Sequence, residues 1–157
     1  MSKLLTNELI YRIYTSPKEI LEDEITWIEE NGKFKINATV QCDLVQNRIR
    51  FHGWFNPHYK QMAFNLIMDD KTGEKNIIRY DEKIHPSNYR PTGDSLDGPH
   101  KHIGSEIFGD GYTYFKVNNI PAHNPNQGLE EFFKELNITY SGIFPVLTYQ
   151  SSIRSFL

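Results

Sequence analysis

The sequence predicts an α+β fold in a single domain spanning residues 1–157. Three observations carry that expectation. Apolar side chains fall at helical spacing near the start, alternate with a period of two from residue 25 to about residue 80, and return to helical spacing near residue 130. The predicted architecture is an antiparallel meander of about five to six strands, with an N-terminal and a C-terminal helix packed on it. A chain of 157 residues suits one domain of ordinary size.

Residues 1–22 are expected to be helical. Leu4, Leu5, Ile10, Ile13, Tyr14 and Leu21 are spaced closer to 3.6 than to 2. Thr6 or Asn7 suits the start, and Ser16-Pro17 suits an end followed by a short second turn.

Sheet is expected across residues 25–117. Asn31-Gly32 lies between alternating runs, the strongest short signal for a tight hairpin, and places Phe34, Ile36, Ala38 and Val40 on one face. NRIRFHGWF puts Ile49, Phe51, Gly53 and Phe55 on one face and Arg48, Arg50, His52 and Trp54 on the other. KQMAFNLIMDD and EKNIIRYDEKI follow, joined by turn residues at Asp70 to Gly73, with Met62, Phe64, Leu66 and Met68 inward. Residues 85–99 hold three prolines and two glycines, so a loop is expected there before HKHI and a last strand, YTYFKV.

In residues 127–137 Leu129, Phe132, Phe133 and Leu136 recur at helical spacing with charges between them. The opening is expected at Asn126 or Gln127. The apolar tail, 138–157, is costly to leave in water, so it is expected to pack on the body or to pair two copies into a homodimer. No repeat or linker is visible.

Composition narrows the function classes. An aromatic share of 13% supports a packed core, not disorder. Cys42 is the one cysteine, which rules out an internal disulfide and a multi-thiolate zinc site and suits a reducing compartment. Glu8 and Arg12 interrupt the N-terminal segment, and no run approaches the roughly 20 apolar residues of a membrane span. A cytoplasmic protein with no membrane partner is the expectation. Net charge of −3 counts against duplex binding driven by counterion release but leaves room for a local basic site.

Two segments can carry chemistry. In GPHKHIGSE, His100 and His102 share a face of a strand at a spacing of roughly 6.5 to 7 Å. With Glu106 they resemble the first metal motif of cupins, but the second motif is unmatched, because Pro121-Ala122-His123 lacks its glycine. In RYDEKIH, Arg79 and Asp81 share a face and His85 follows: Arg79 can hold an anion while Asp81 orients an imidazole. Arg48, Arg50, His52 and Trp54 offer a weaker stacking and phosphate patch, more simply read as a solvated strand face. His58 and His123 sit beside prolines and read as loop residues, and Cys42 as a buried small side chain.

Taken together, IIRYDEKIHP and GPHKHIGSE, followed by the acidic and apolar helix GLEEFFKELNI, resemble TumE-like proteins of bacterial toxin-antitoxin modules and related small bacterial and phage proteins. The likeness spans about residues 48–138, with RYD and HKH as its specific motifs; residues 1–47 have no counterpart in it. It implicates Arg79, Asp81, His85, His100 and His102, and implies a cognate antitoxin or host defence protein as partner.

The mechanism expected is metal-independent acid/base chemistry on RNA or a nucleotide, with no cofactor. His85, His100, His102 and Asp81 are the catalytic candidates, and Arg79, Lys101, Tyr80 and Arg90 the substrate-binding ones. Histidine suits both proton donation and acceptance because its ordinary pKa lies near 6.5. The competing expectation is a non-catalytic phage or mobile-element inhibitor, its acidic N-terminal face (Glu19, Glu22, Asp23, Glu24, Glu29, Glu30) blocking a host nuclease, or its pocket holding a signalling nucleotide.

Overall fold

A computed structural model describes residues 6–82, 99–105, 109–116, 120–121 and 123–149. Among them the fold is α+β, with two helices and nine strands. The sheet runs in the order β8-β7-β6-β5-β4-β3-β1-β9, with β2 paired separately on β3.

Helix α1 covers Asn7–Thr15, and the Thr6 hydroxyl caps it by accepting from the Leu9 amide. Pro17 forces the preceding residue out of helical geometry, and Ser16 is extended (φ −78°, ψ 148°). The expected second helical turn is therefore corrected. The chain continues as strand β1, Lys18–Ile20, in which Lys18 and Ile20 are buried and Glu19 is exposed.

Strands β2 (Ile28–Glu30) and β3 (Lys33–Gln41) form the predicted hairpin. Asn31 (φ 53°) and Gly32 (φ 78°) both adopt the left-handed region that a two-residue turn of this kind requires. Strands β4 (Ile49–Asn56), β5 (Gln61–Asp70) and β6 (Gly73–Asp81) follow, each antiparallel to the one before. Strands β7 (His100–Ser105) and β8 (Gly109–Lys116) extend the sheet beyond β6.

Helix α2 spans Pro125–Glu135 and starts earlier than expected. Asn124 caps it and Pro125 fills a first-turn position, where a missing amide costs nothing. The chain then enters β9, Ile138–Thr139, which pairs parallel with β1. The expected pure antiparallel meander of five to six strands is thus corrected to a larger, mixed sheet. Strands of two or three residues, such as β1, β2 and β9, are too short to display a period.

One face of the sheet carries both helices and the core. Phe51 and Phe64 stack at 6.1 Å between centroids, and Phe133 meets Phe51 edge-on at 5.0 Å. Gly128 lets α2 approach closely, because a Cβ there would lie 2.6 Å from Met62 Cε. The buried Lys18 ammonium donates to the carbonyls of Tyr14, Ser16 and Leu136, tying the ends of both helices to β1. No described helix is long and apolar enough to cross a membrane. The tail runs without regular structure from residue 140 to 149, where Leu147 is buried and Phe144 and Tyr149 pack against the core; residues 150–157, the rest of the apolar tail 138–157 on which the homodimer expectation rests, lie outside the described residues.

Candidate functional site

Strands β6 and β7 pair with Arg79 opposite His102, Tyr80 opposite Lys101 and Asp81 opposite His100. Directly opposed residues of an antiparallel pair project to the same face. Arg79, Asp81, His100 and His102 therefore share the face away from the helices.

The four side chains come together closely. One potential ligand atom from each of Asp81, His100 and His102 lies within 4.8 Å of the other two. The imidazoles of His100 and His102 meet edge to face, with centroids 4.7 Å apart. Arg79 Nη2 stands 3.4 Å from His102 Nε2, and Arg79 Nε is 3.8 Å from Asp81 Oδ2. His100 and His102 are each 1% exposed, whereas the Arg79 side chain is 24% exposed. The Arg79 side chain is thus the part of the cluster that reaches the surface, with its Nε buried.

The same register continues across the sheet. Asn37 faces His52, His52 faces Asn65, and Asn65 faces Arg79, making one polar row that ends on His102. Two buried atoms in this row have no hydrogen-bond partner among the described residues: Asn65 Oδ1 and Arg79 Nε. Buried polar atoms are rarely left so, and these two lie beside the cluster.

Tyr80 and Lys101 do not join it. Tyr80 is fully buried on the helix side, stacked near Phe64, and donates to Glu82 Oε2 at 2.9 Å. Burial, and then the neighbouring Glu82, raise its pKa above the ordinary tyrosine value. Lys101 Nζ contacts Glu135 Oε2 at 3.1 Å and the Tyr14 hydroxyl at 3.2 Å, linking β7 to both helices. Both were expected among the substrate-binding residues; they lie on the opposite face from the cluster, because alternate residues of a strand face opposite sides.

His85, Arg90 and Glu106 lie outside the described residues. Among the described residues, the carboxylate that the fold brings to the histidine pair is Asp81. In the β4 patch, Arg50 is already engaged by Asp69 Oδ1 at 3.0 Å and Glu74 Oε1 at 2.7 Å. His52 is held by Asn37 and by Arg50. Burial, and then Arg50, lower its pKa, so it is neutral at pH 7. This leaves little unspent positive charge for a phosphate at Arg50 or His52.

Reading the sequence by itself misses Glu82. Its buried carboxylate accepts from the amides of Met62 and His123, each at 2.8 Å, as well as from Tyr80. It thereby fixes the end of β6, where Asp81 sits, to β5 and to the segment leading into α2. The available signal was its spacing of two from the inward-facing Tyr80. His123, held in the left-handed region at φ 61°, also bonds Lys60 O and is more firmly placed than a plain loop residue.

The arrangement combines a guanidinium with donor capacity to spare, two imidazoles in contact and a carboxylate. Such a set can hold an anion, pass a proton between the imidazoles, or coordinate a cation. No protein-family model, curated protein sequence or solved structure matches the chain.

Proposed function

We propose that this is a small conflict-system protein of bacterial or phage origin, TumE-like, which acts in the cytoplasm on RNA or a nucleotide by histidine acid/base chemistry without a metal. The observation that carries the reading is the convergence of Arg79, Asp81, His100 and His102 on one sheet face. Arg79 is the phosphate anchor, since its side chain is the exposed lip of the cluster and its Nε, although ion-paired with Asp81, makes no hydrogen bond among the described residues.

In the cleavage reaction one imidazole takes the proton of a ribose 2′-hydroxyl. The 2′-oxygen then bonds to phosphorus, the bond from phosphorus to the 5′-oxygen breaks, and the other imidazole protonates that oxygen. The products are a 2′,3′-cyclic phosphate and a 5′-hydroxyl. Asp81 fixes an imidazole tautomer and balances the imidazolium. Arg79 offsets the charge that builds on the phosphoryl oxygens.

The test is cleavage of a labelled single-stranded RNA by the purified full chain. Wild type is expected to cut, and His100→Gln and His102→Gln to lose on the order of 100-fold or more in rate. An uncut RNA, or equal cutting by the variants, rejects the reading.

One observation favours the non-catalytic alternative. A cavity of about 610 Å³ is lined by Asp23, Glu24, Ile25, Phe144 and Val146, with Ile143 92% exposed at its edge. An acidic and apolar groove of this kind suits a basic surface on a host nuclease. On this reading charge reversal at Glu24 is expected to abolish such a complex, and the wild-type chain to cut no RNA.

A further inference from the structure

We infer that Asp81, His100 and His102 also form a binding site for a divalent transition-metal ion, and that metal occupancy and histidine acid/base chemistry exclude each other. Two imidazole nitrogens and one carboxylate oxygen are the donor set that zinc and neighbouring first-row ions take, with positions left for water or substrate. All three donors come from the paired strands β6 and β7, so their backbone positions are held by the ladder. Bonds of about 2.0 to 2.2 Å place tetrahedral donors roughly 3.3 to 3.6 Å apart. Ligand atoms within 4.8 Å reach that spacing when side-chain rotation closes the gaps by up to about 1.2 to 1.5 Å. The three side chains are buried, at 6%, 1% and 1% exposure, so bulk water competes weakly for the ion.

Exclusion follows from the lone pairs. An imidazole nitrogen that is bonded to a metal cannot accept the proton of a ribose hydroxyl. The exclusion rests on the proposed histidine chemistry; the metal binding itself does not.

Arg79 separates the two activities. Its guanidinium lies 3.4 Å from His102 Nε2, where a cation opposes a second cation and attracts a phosphate. Arg79→Gln therefore tightens metal binding and weakens anion binding, opposite effects from one substitution.

The experiment titrates EDTA-treated full-length protein with Zn²⁺ by calorimetry and with Co²⁺ by visible absorption. One equivalent is expected to bind. Affinity should fall at least about tenfold in His102→Gln and Asp81→Asn, stay unchanged in His52→Ala and rise in Arg79→Gln. One equivalent of Zn²⁺ should suppress RNA cleavage.

Absence of binding by either ion overturns the inference, as does affinity unchanged in a folded His100→Gln and His102→Gln double variant. Zinc binding by a wild type that cuts no RNA keeps the metal site and rejects the proposed function. Cleavage by a chain that binds neither ion does the reverse.

Discussion

Arg79 Nη2 lies 3.4 Å from His102 Nε2 because the two residues stand directly opposite each other across β6 and β7. Their neighbours Tyr80 and Lys101 are just as directly opposed, yet face the helices. One register therefore separates a candidate site from a structural anchor.

The separation predicts two different phenotypes. Arg79→Gln is expected to leave the fold intact and to weaken binding of a ribonucleoside monophosphate by roughly 10- to 100-fold, the equivalent of one charge-assisted hydrogen bond. Lys101→Met should leave that binding unchanged and lower stability by about 1 to 3 kcal/mol, since it removes the cation paired with the partly buried Glu135 carboxylate. Calorimetry and urea denaturation measure the two effects.

Lys18 predicts a pH dependence of stability. Burial lowers its pKa from 10.5 to about 8. Between these values the unfolded chain binds more protons than the folded one, so the Lys18 contribution raises stability as pH increases from about 8 to 10.5. Below pH 8 the full cost of burying the charge is present. Denaturation at pH 7.5 and 9.5 should show wild type gaining relative to Lys18→Met as the pH rises. At pH 7.5 the variant should still be the less stable, because three carbonyls lose their donor.

His52 should titrate below the ordinary histidine pKa of 6.5, because it is partly buried and lies beside Arg50. Its contribution to stability is complete above pH 6.5 and is lost as pH falls through the lowered value. In a proton NMR titration, Arg50→Ala is expected to move the midpoint upward without restoring it fully, since burial persists.

Gly53 occupies the core face of β4, where an added Cβ would lie 2.9 Å from both Ile36 Cγ2 and Phe64 Cδ1. Gly53→Ala should destabilise the protein by about 1 to 3 kcal/mol, despite the poor strand propensity of glycine. A shift in the urea midpoint with unchanged slope is the expected result.

Much of this site is legible in the sequence because a strand has a period of two. That period puts Arg79 with Asp81 and His100 with His102, and it assigns Phe51, Phe64 and Leu66 to the core. It also separates Tyr80 and Lys101 from the others, a consequence lost when the motifs are read as runs of neighbouring residues. The pairing of Arg79 with His102 is not legible, because the residues between the strands do not set a register by their composition. The strands β1 and β9 escape because two or three residues show no period, whereas the Asn31-Gly32 turn marks β2, and the earlier start of α2 was signalled by Asn124-Pro125. Glu82 is hidden for another reason: a glutamate after RYD looks solvated until the fold surrounds it with donors.

The central claim concerns what the histidine pair does to a phosphodiester, and end-group analysis of the RNA products tests it most directly. Acid/base attack by the 2′-hydroxyl predicts 2′,3′-cyclic phosphate and 5′-hydroxyl ends from metal-free protein, with no cutting where the residue 5′ of the scissile phosphate is 2′-deoxy. Products ending in 3′-hydroxyl and 5′-phosphate, cutting at the deoxy position, or no cutting at all would contradict it.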